Sequence, residues 1–144
     1  MDNTLTSVPT PGTQRTGWPV AAQLIDTLTR RDLAGLAACF EPDVRMRAVT
    51  PRATLDLRGS QAVTAKFDEW FGGTDGFEVQ DCSVGMVGSR QYVRWLVRMW
   101  PPADPGGSLV VEQHAFIRGA DRVQALDLLC SGFHLEHGHA GGVV

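Results

Sequence analysis

The sequence predicts one α+β domain, with helices in its first half and antiparallel strands in its second. Apolar residues recur at helical spacing in three segments before Gly73, and from Phe77 onward the period changes to two. Short turn-like links join the later segments, which is typical of a meander of antiparallel strands. A chain ordered in this way is expected to carry its helices together on one face of the sheet.

The helical half begins at Pro19, which suits the first turn of a helix. After this helix comes Asp32, a residue type that caps helices and here predicts a second, short one. A half-buried strand is predicted over residues 44–49, where Val, Met and Ala alternate with Arg. A third helix is predicted to start after Gly59, and Gly72 with the glycine that follows can end it through a left-handed cap.

The strand half contains four long segments with a period of two. They span residues 77–87, 91–100, 109–118 and 122–133. Glycine, serine and proline concentrate between these segments, which favours tight turns and short loops there.

Length and composition limit the domain organisation. A chain of 144 residues with 43% hydrophobic content suits a single globular domain. The polar residues 1–17, rich in Thr and Pro, predict a disordered N-terminal arm. Residues 18–134 are then the domain, and residues 135–144 a flexible tail.

Charge and motifs exclude several functional classes. The net charge of −3 gives no basic excess, so nucleic acid is not expected as a partner. No apolar run is long enough to cross a membrane, and no signal-peptide core is present, so no membrane association is expected. The three cysteines, Cys39, Cys82 and Cys130, lie in apolar stretches and predict buried, reduced thiols, hence a cytoplasmic protein. No phosphate-binding loop, dinucleotide-binding motif or zinc signature occurs, so no cofactor is expected.

The histidines near the C-terminus, His134, His137 and His139, lie close to Glu136. Such a group could bind a divalent cation, but a Gly-rich terminus offers no scaffold for it. No native metal site is predicted.

Three stretches carry a resemblance to a known superfamily. These are residues 24–47, the helix start at Gly59-Ser60, and the closing hairpin FIRGADRVQALDLL. Their order resembles the nuclear transport factor 2-like superfamily, which includes ketosteroid isomerases and SnoaL-like polyketide cyclases. The resemblance implies a curved antiparallel sheet with about three helices on its concave face, forming a cone with an apolar pocket. An outward face that carries Tyr92, Leu96 and Trp100 exposes more apolar surface than monomers usually tolerate and, together with this resemblance, predicts a homodimer packed sheet to sheet.

The catalytic groups of the ketosteroid isomerases are largely missing. Aligned with that family, the tyrosine position falls on Leu24 and the aspartate base on Ala48. The late-strand acid corresponds to His114 if a one-residue gap is allowed after Gly119. Steroid isomerisation by that mechanism is therefore not expected.

His114 and Glu112 are the first candidates for chemistry. They lie two residues apart on one face of a predicted strand, and imidazole can both give and take a proton at neutral pH. The alternative is a solvated outer face on which the two side chains simply pair.

Asp127 is the second candidate, because it lies in the apolar run ALDLLC. Burial there would raise the pKa of the carboxyl and keep it available as a base, as the resemblance to SnoaL-like cyclases implies. The alternative is a carboxylate at a dimer interface, paired with an arginine.

An apolar pocket for the substrate is predicted from residues of the helices and of the inner strand faces. They are Leu24, Met46, Phe67, Trp70, Trp95, Leu126, Leu128 and Cys130.

Together these patterns predict a cofactor-independent enzyme of secondary metabolism that moves a proton on an apolar, polyketide- or terpenoid-like molecule. It would be a cyclase, isomerase or dehydratase. The alternative is a non-catalytic ligand-binding or dimerisation module on the same fold, because fold alone does not decide function.

Overall fold

The computed structural model describes residues 19–102 and 107–136. In these residues three helices and seven strands follow one another along the chain. They are α1 (Pro19–Thr29), α2 (Leu33–Ala38), β1 (Phe40–Val49), β2 (Thr54–Arg58), α3 (Ser60–Phe71), β3 (Gly76–Val87), β4 (Arg90–Trp100), β5 (Ser108–Arg118), β6 (Val123–Cys130) and β7 (His134–Glu136).

The strands form one open, curved sheet in the order β2-β1-β6-β5-β4-β3, with β7 pairing to the free part of β5. The predicted α+β class and the late meander β3-β4-β5-β6 are confirmed. The sheet is mixed rather than antiparallel throughout, because β1 runs parallel to β6. These two strands are distant in sequence, and the intervening segment carries the chain back to the same end of the sheet.

Strict alternation along the long strands gives the sheet two different faces. On β4, the side chains of Val93, Trp95, Val97 and Met99 are almost completely buried, and their neighbours are half-buried on the other face. The buried face packs against the three helices and forms the core, so we call it the inner face. The opposite one is the outer face.

Aromatic rings fill the space between α3 and the inner face. The ring of Phe67 lies 6.3 Å from that of Phe40, 5.4 Å from Trp70 and 6.4 Å from Trp95 between centroids. Phe67 and Trp95 are each at most 1% exposed. The interior of the cone is therefore packed with side chains at this level.

Several boundaries differ from the sequence predictions. Strand β1 begins at Phe40, four residues before the predicted start, and its pairing with β6 is irregular between Phe40 and Arg45. Strand β2 was not predicted. Gly72 ends α3 in the right-handed region, with φ of −79°, so the left-handed cap does not form.

The C-terminal boundary also lies later than predicted. Leu135 and Glu136 belong to β7, which pairs with the start of β5, and Glu136 accepts hydrogen bonds of 2.7 and 2.8 Å from the Arg98 guanidinium. The predicted tail therefore starts inside the sheet. The predicted arm, residues 1–17, and the rest of the tail lie outside the described residues.

The three thiols are free, but only Cys39 and Cys130 are buried. Cys82 is exposed because it lies on β3, the edge strand of the sheet, beside a register shift between Val79 and Asp81. Within residues 19–102 and 107–136, no helix is long and apolar enough to span a bilayer.

Candidate functional site

His114 lies on the outer face, in a chain of hydrogen bonds with its strand neighbours. Its Nδ1 lies 2.7 Å from the Tyr92 hydroxyl, and its Nε2 lies 2.9 Å from Oε2 of Glu112. Glu112 also accepts a 2.7 Å hydrogen bond from Nε of Arg94, which contacts Asp81 at 3.0 Å. Both nitrogens of the imidazole are therefore engaged by other side chains.

The charges of this network stabilise the ionised form of Glu112. The hydrogen bond from Arg94 lowers the pKa of the Glu112 carboxyl by more than burial raises it, and the hydrogen bond with His114 adds to the lowering. A carboxylate held in this way is a weak base. The arrangement matches the second of the two alternatives for His114 and Glu112, a paired set on the outer face.

Asp127 also lies on the outer face, between two arginines. Its carboxylate accepts a 3.0 Å hydrogen bond from Nε of Arg47 and a 2.6 Å hydrogen bond from Nη1 of Arg90. Burial acts to raise the pKa of the carboxyl, but these hydrogen bonds outweigh it and the pKa is lowered. The expected rise in the pKa of Asp127 is therefore corrected to a fall.

The predicted acid/base residues are thus on the side of the sheet away from the helices. The inner positions of β5 belong instead to Val111, Gln113, Ala115 and Ile117, all at most 1% exposed. The structure does not bring His114, Glu112 and Asp127 into a cavity under the helices. Their role in catalysis stays a prediction.

The predicted pocket wall is on the inner side, but most of it is solid core. Six of the eight residues are at most 1% exposed and pack within one hydrophobic cluster: Leu24, Met46, Phe67, Trp95, Leu126 and Leu128. Trp70 and Cys130 line the cleft described next, whereas Phe67 borders a separate pocket among the three helices and Leu128 borders a hollow at the sheet.

A cleft of about 500 Å³ opens where the ends of β1 and β6 meet α3. We call it the end cleft. This volume lies within the roughly 300–1,000 Å³ typical of small-molecule sites. Its lining combines apolar, thiol and charged side chains: Thr50, Pro51, Arg52, Leu55, Lys66, Glu69, Trp70, Cys130, Gly132, Phe133 and His134.

A buried polar chain ends at the cleft. The Trp95 indole donates a 3.0 Å hydrogen bond to Oε1 of Gln113, and Nε2 of Gln113 donates to Sγ of Cys130 at 3.3 Å. The indole can only donate, so it fixes which end of the Gln113 amide faces the sulfur. The backbone N–H of Gly132 approaches the same sulfur at 3.4 Å. The Cys130 sulfur therefore already accepts hydrogen bonds from two donors.

His134 lies at the rim of the cleft with one ring nitrogen engaged. Its Nε2 lies 2.9 Å from the carbonyl oxygen of Ser131, which can only accept a hydrogen bond. The hydrogen of the neutral ring is thus on Nε2, and Nδ1 carries the lone pair. A histidine with this tautomer can take up a proton at Nδ1.

Sequence reasoning missed most of this cleft, because it is assembled from three distant segments. Residues 50–55 come from the β1–β2 turn and the start of β2. Lys66 to Trp70 come from α3, and Cys130 to His134 run from the end of β6 to the start of β7. His134 was considered only as part of a metal-binding tail. The alternating Leu55 and Leu57 offered a signal for β2, and hence for the turn that closes the cleft.

A second hollow lies on the outer face and is distinct from the end cleft. It measures about 520 Å³ and runs between the charged pair of Arg47 and Asp127 and the apolar side chains of Val49, Phe116 and Leu129. Val49 and Leu129 are each 50% exposed and are direct neighbours across the β1–β6 pair.

Solved structures with the same architecture are found at low sequence identity. An LEH-like epoxide hydrolase from M. tuberculosis superposes with a TM-score of 0.59 at 13% identity, covering 78% of this chain and 80% of that one. A candidate polyketide cyclase from Xanthomonas campestris gives 0.61 at 15% identity, covering 76% and 86%. A protein of ketosteroid isomerase-like fold from Catenulispora acidiphila, solved with trimethylamine, gives 0.61 at 11%, covering 78% and 85%. These similarities establish the fold.

The family follows from the sequence match. The model of the SnoaL-like domain matches residues 21–125, so this chain belongs to the SnoaL-like domain family. The predicted nuclear transport factor 2-like superfamily is confirmed. No curated protein matches the chain in sequence.

The buried polar chain gives a first testable prediction. Replacing Gln113 by Leu leaves the buried Trp95 indole N–H without an acceptor, which we expect to lower the free energy of unfolding by about 1–3 kcal/mol. Gln80→Leu, on the exposed edge strand, is the matched control and should have little effect. Urea denaturation measures both, and equal stability of the two variants would contradict the prediction.

The Asp127 carboxylate on the outer face gives a second testable prediction. Because the pKa of Asp127 is lower in the folded chain than the value of about 3.9 expected when unfolded, its ionised form stabilises the fold at neutral pH. This contribution is lost as the pH falls from about 4 through the folded-state pKa. Asp127→Asn should therefore lower the melting temperature at pH 7 and reduce its further fall at acid pH.

Asp56→Asn serves as the control for this experiment. Asp56 also pairs with an arginine, Arg45, but its side chain is 56% exposed, against 29% for Asp127. Exposed pairs contribute little, so this variant should lose less stability at pH 7. If the melting temperatures of both variants fell with decreasing pH as steeply as that of the wild type, the assignment would be contradicted.

Proposed function

We propose that the chain binds a small, largely apolar molecule in the end cleft and transfers a proton on it with its own side chains. The observation that supports this most is the combination in one cleft of an apolar wall, Trp70 and Phe133, with the imidazole of His134. Ligand sites are typically apolar with a few polar groups that orient the ligand.

His134 is the group best suited to move the proton. Its Nδ1 would accept a proton from the ligand while Nε2 keeps its hydrogen bond to Ser131, and the imidazolium would return the proton to a second ligand atom. Cys130 at the floor would contact the apolar part of the ligand. The reaction would be an isomerisation, cyclisation or dehydration, each of which needs a proton moved between positions on one molecule.

Membership of the SnoaL-like family supports this class of activity without naming a substrate. Structural neighbours are described as an epoxide hydrolase and a candidate polyketide cyclase, and those descriptions belong to the neighbours. A polyketide- or terpenoid-like substrate of secondary metabolism, in the cytoplasm, agrees with the apolar wall and with the free thiols.

The proposal predicts that His134→Ala abolishes turnover. The substrate would first be found by a thermal-shift screen of polyketide-like and terpenoid molecules, followed by a product assay. Loss of general acid–base catalysis should reduce kcat by roughly 10²–10⁴-fold. The matched control is His114→Ala on the outer face, which should keep turnover.

The reverse result would contradict this assignment. If His114→Ala loses activity while His134→Ala keeps it, the acid/base group lies in the outer-face network and not in the end cleft. If molecules that bind the wild-type chain are never converted, the protein is the non-catalytic ligand-binding module.

We also propose a homodimer that forms through the outer face. The half-exposed side chains of Val49 and Leu129 form an apolar centre, and Phe116 lies beside them in the same groove. Beside it, Arg47 and Arg90 are already paired with the carboxylate of Asp127. A second copy brings the same neutralised pattern, so two such faces can meet without like-charge repulsion in a two-fold interface.

Light scattering tests the dimer. The wild type at micromolar concentration should have twice the chain mass of 15.6 kDa. Leu129→Glu should shift it to a monomer, because two carboxylates would be buried at the centre of the interface. Leu33→Glu, at an exposed position of α2, should remain dimeric. A wild-type mass of one chain would disprove the proposal.

A further inference from the structure

The end cleft carries an excess of positive charge at its rim. Its lining holds two cationic side chains, Arg52 and Lys66, and one carboxylate, Glu69. This distribution contrasts with the chain as a whole, whose net charge is −3.

Lys66 is placed to bind a second anion. Its side chain is 20% exposed, and its Nζ lies 2.8 Å from Oε1 of Glu69, one turn further along α3. An ammonium group has three donors, so this contact leaves capacity for another acceptor. Glu69 is itself 67% exposed, and such exposed pairs are worth little, so it competes weakly with a ligand.

Arg52 also lines the cleft and is held by a tight turn. The Thr50 hydroxyl oxygen accepts hydrogen bonds from the backbone N–H groups of Arg52, at 3.3 Å, and Ala53, at 3.1 Å. The backbone N–H of Thr50 donates to the Ala53 carbonyl at 2.9 Å. This turn fixes the Arg52 backbone beside the cleft. Among the described residues, no carboxylate lies within ion-pair distance of its guanidinium.

Apolar side chains form other parts of the cleft wall. Leu55 on β2, Trp70 on α3 and Phe133 after β6 form them, and each packs against the edge of the core. A ligand that fills the cleft therefore meets apolar surface along its body and positive charge at its exposed end.

From these observations we propose that the ligand of the end cleft is an amphipathic anion, an apolar and preferably aromatic body that carries one carboxylate. The inference rests on the proposed function of the cleft and narrows its substrate class. The carboxylate contacts Lys66 and Arg52, and the body stacks on Trp70. This end-on anchoring also holds the body of the ligand next to His134.

Isothermal titration of three matched probes tests the charge preference: 2-naphthoate, its neutral amide 2-naphthamide, and the cation 2-naphthylmethylammonium. At pH 7 we expect the carboxylate to bind about tenfold or more tightly than the amide, which corresponds to one charge-assisted hydrogen bond. The cation should bind most weakly. Added salt should weaken binding of the carboxylate and leave that of the amide nearly unchanged.

Variants locate the contact. Lys66→Met and Arg52→Gln should each bring the affinity for 2-naphthoate down toward that of the amide, and leave the affinity for the amide unchanged. Glu69→Gln removes the competing carboxylate and should strengthen binding of 2-naphthoate; it keeps the test open if Lys66→Met fails to fold. Arg118→Gln, at the far end of β5, is the control and should change neither affinity.

The outcomes separate this inference from the proposed function. If naphthoate and naphthamide bind equally and Trp70→Leu weakens both, the cleft is a ligand site without charge selection. That result overturns the inference and leaves the proposed function standing. If none of the probes binds at millimolar concentration, both the inference and the proposed ligand site are wrong. Tighter binding of the cation would also overturn the inference.

Discussion

The contact of Phe67 with the inner face of the sheet determines where this protein can hold a ligand. Its ring is surrounded by those of Phe40, Trp70, Phe71 and Trp95, with centroids 5.4 to 6.4 Å away. Aromatic clusters of this kind bury large areas and are closely packed. Because these rings fill the middle of the cone, the end cleft opens beyond them, where Trp70 lines it.

The same packing decides which strand residues can do chemistry at an interior site. Alternation sends one set of side chains under the helices, and on the long strands that set is apolar except for Gln91 and Gln113. The candidates on β5 and β6 consequently lie outside, where arginines pair with the carboxylates of Glu112 and Asp127 and where His114 contacts Glu112. Gln91 is occupied by α1, since its Oε1 accepts a 3.0 Å hydrogen bond from the backbone N–H of Ala21. The path from Trp95 through Gln113 to Cys130 instead leads to the end cleft.

How much the sequence could predict follows from how local each feature is. The three helices and the meander rest on local periodicity and were predicted to within a few residues. The parallel pairing of β1 with β6 depends on contacts 80 residues apart, such as the one between Arg47 and Asp127, and no local pattern encodes it. Alternation on β5 also grouped His114 with Glu112 correctly. It did not say which face the helices cover, although Val111, Ala115 and Ile117 made the other face the more apolar one.

At the end of β6, consecutive residues belong to the two functional regions of the sheet. Leu129 is half exposed on the outer face, and the next residue, Cys130, lies at the floor of the cleft. Ser131 then joins both sides: its hydroxyl accepts from the backbone N–H of Glu112, and its carbonyl accepts from His134. Gly132 follows with a φ of 88°, and an added Cβ there would approach Pro51 at 2.7 Å. Only glycine fits this link easily, since its backbone conformation and the close contact both exclude a side chain. The imidazole at the cleft and the carboxylate network of the outer face are therefore held by one short, closely constrained segment.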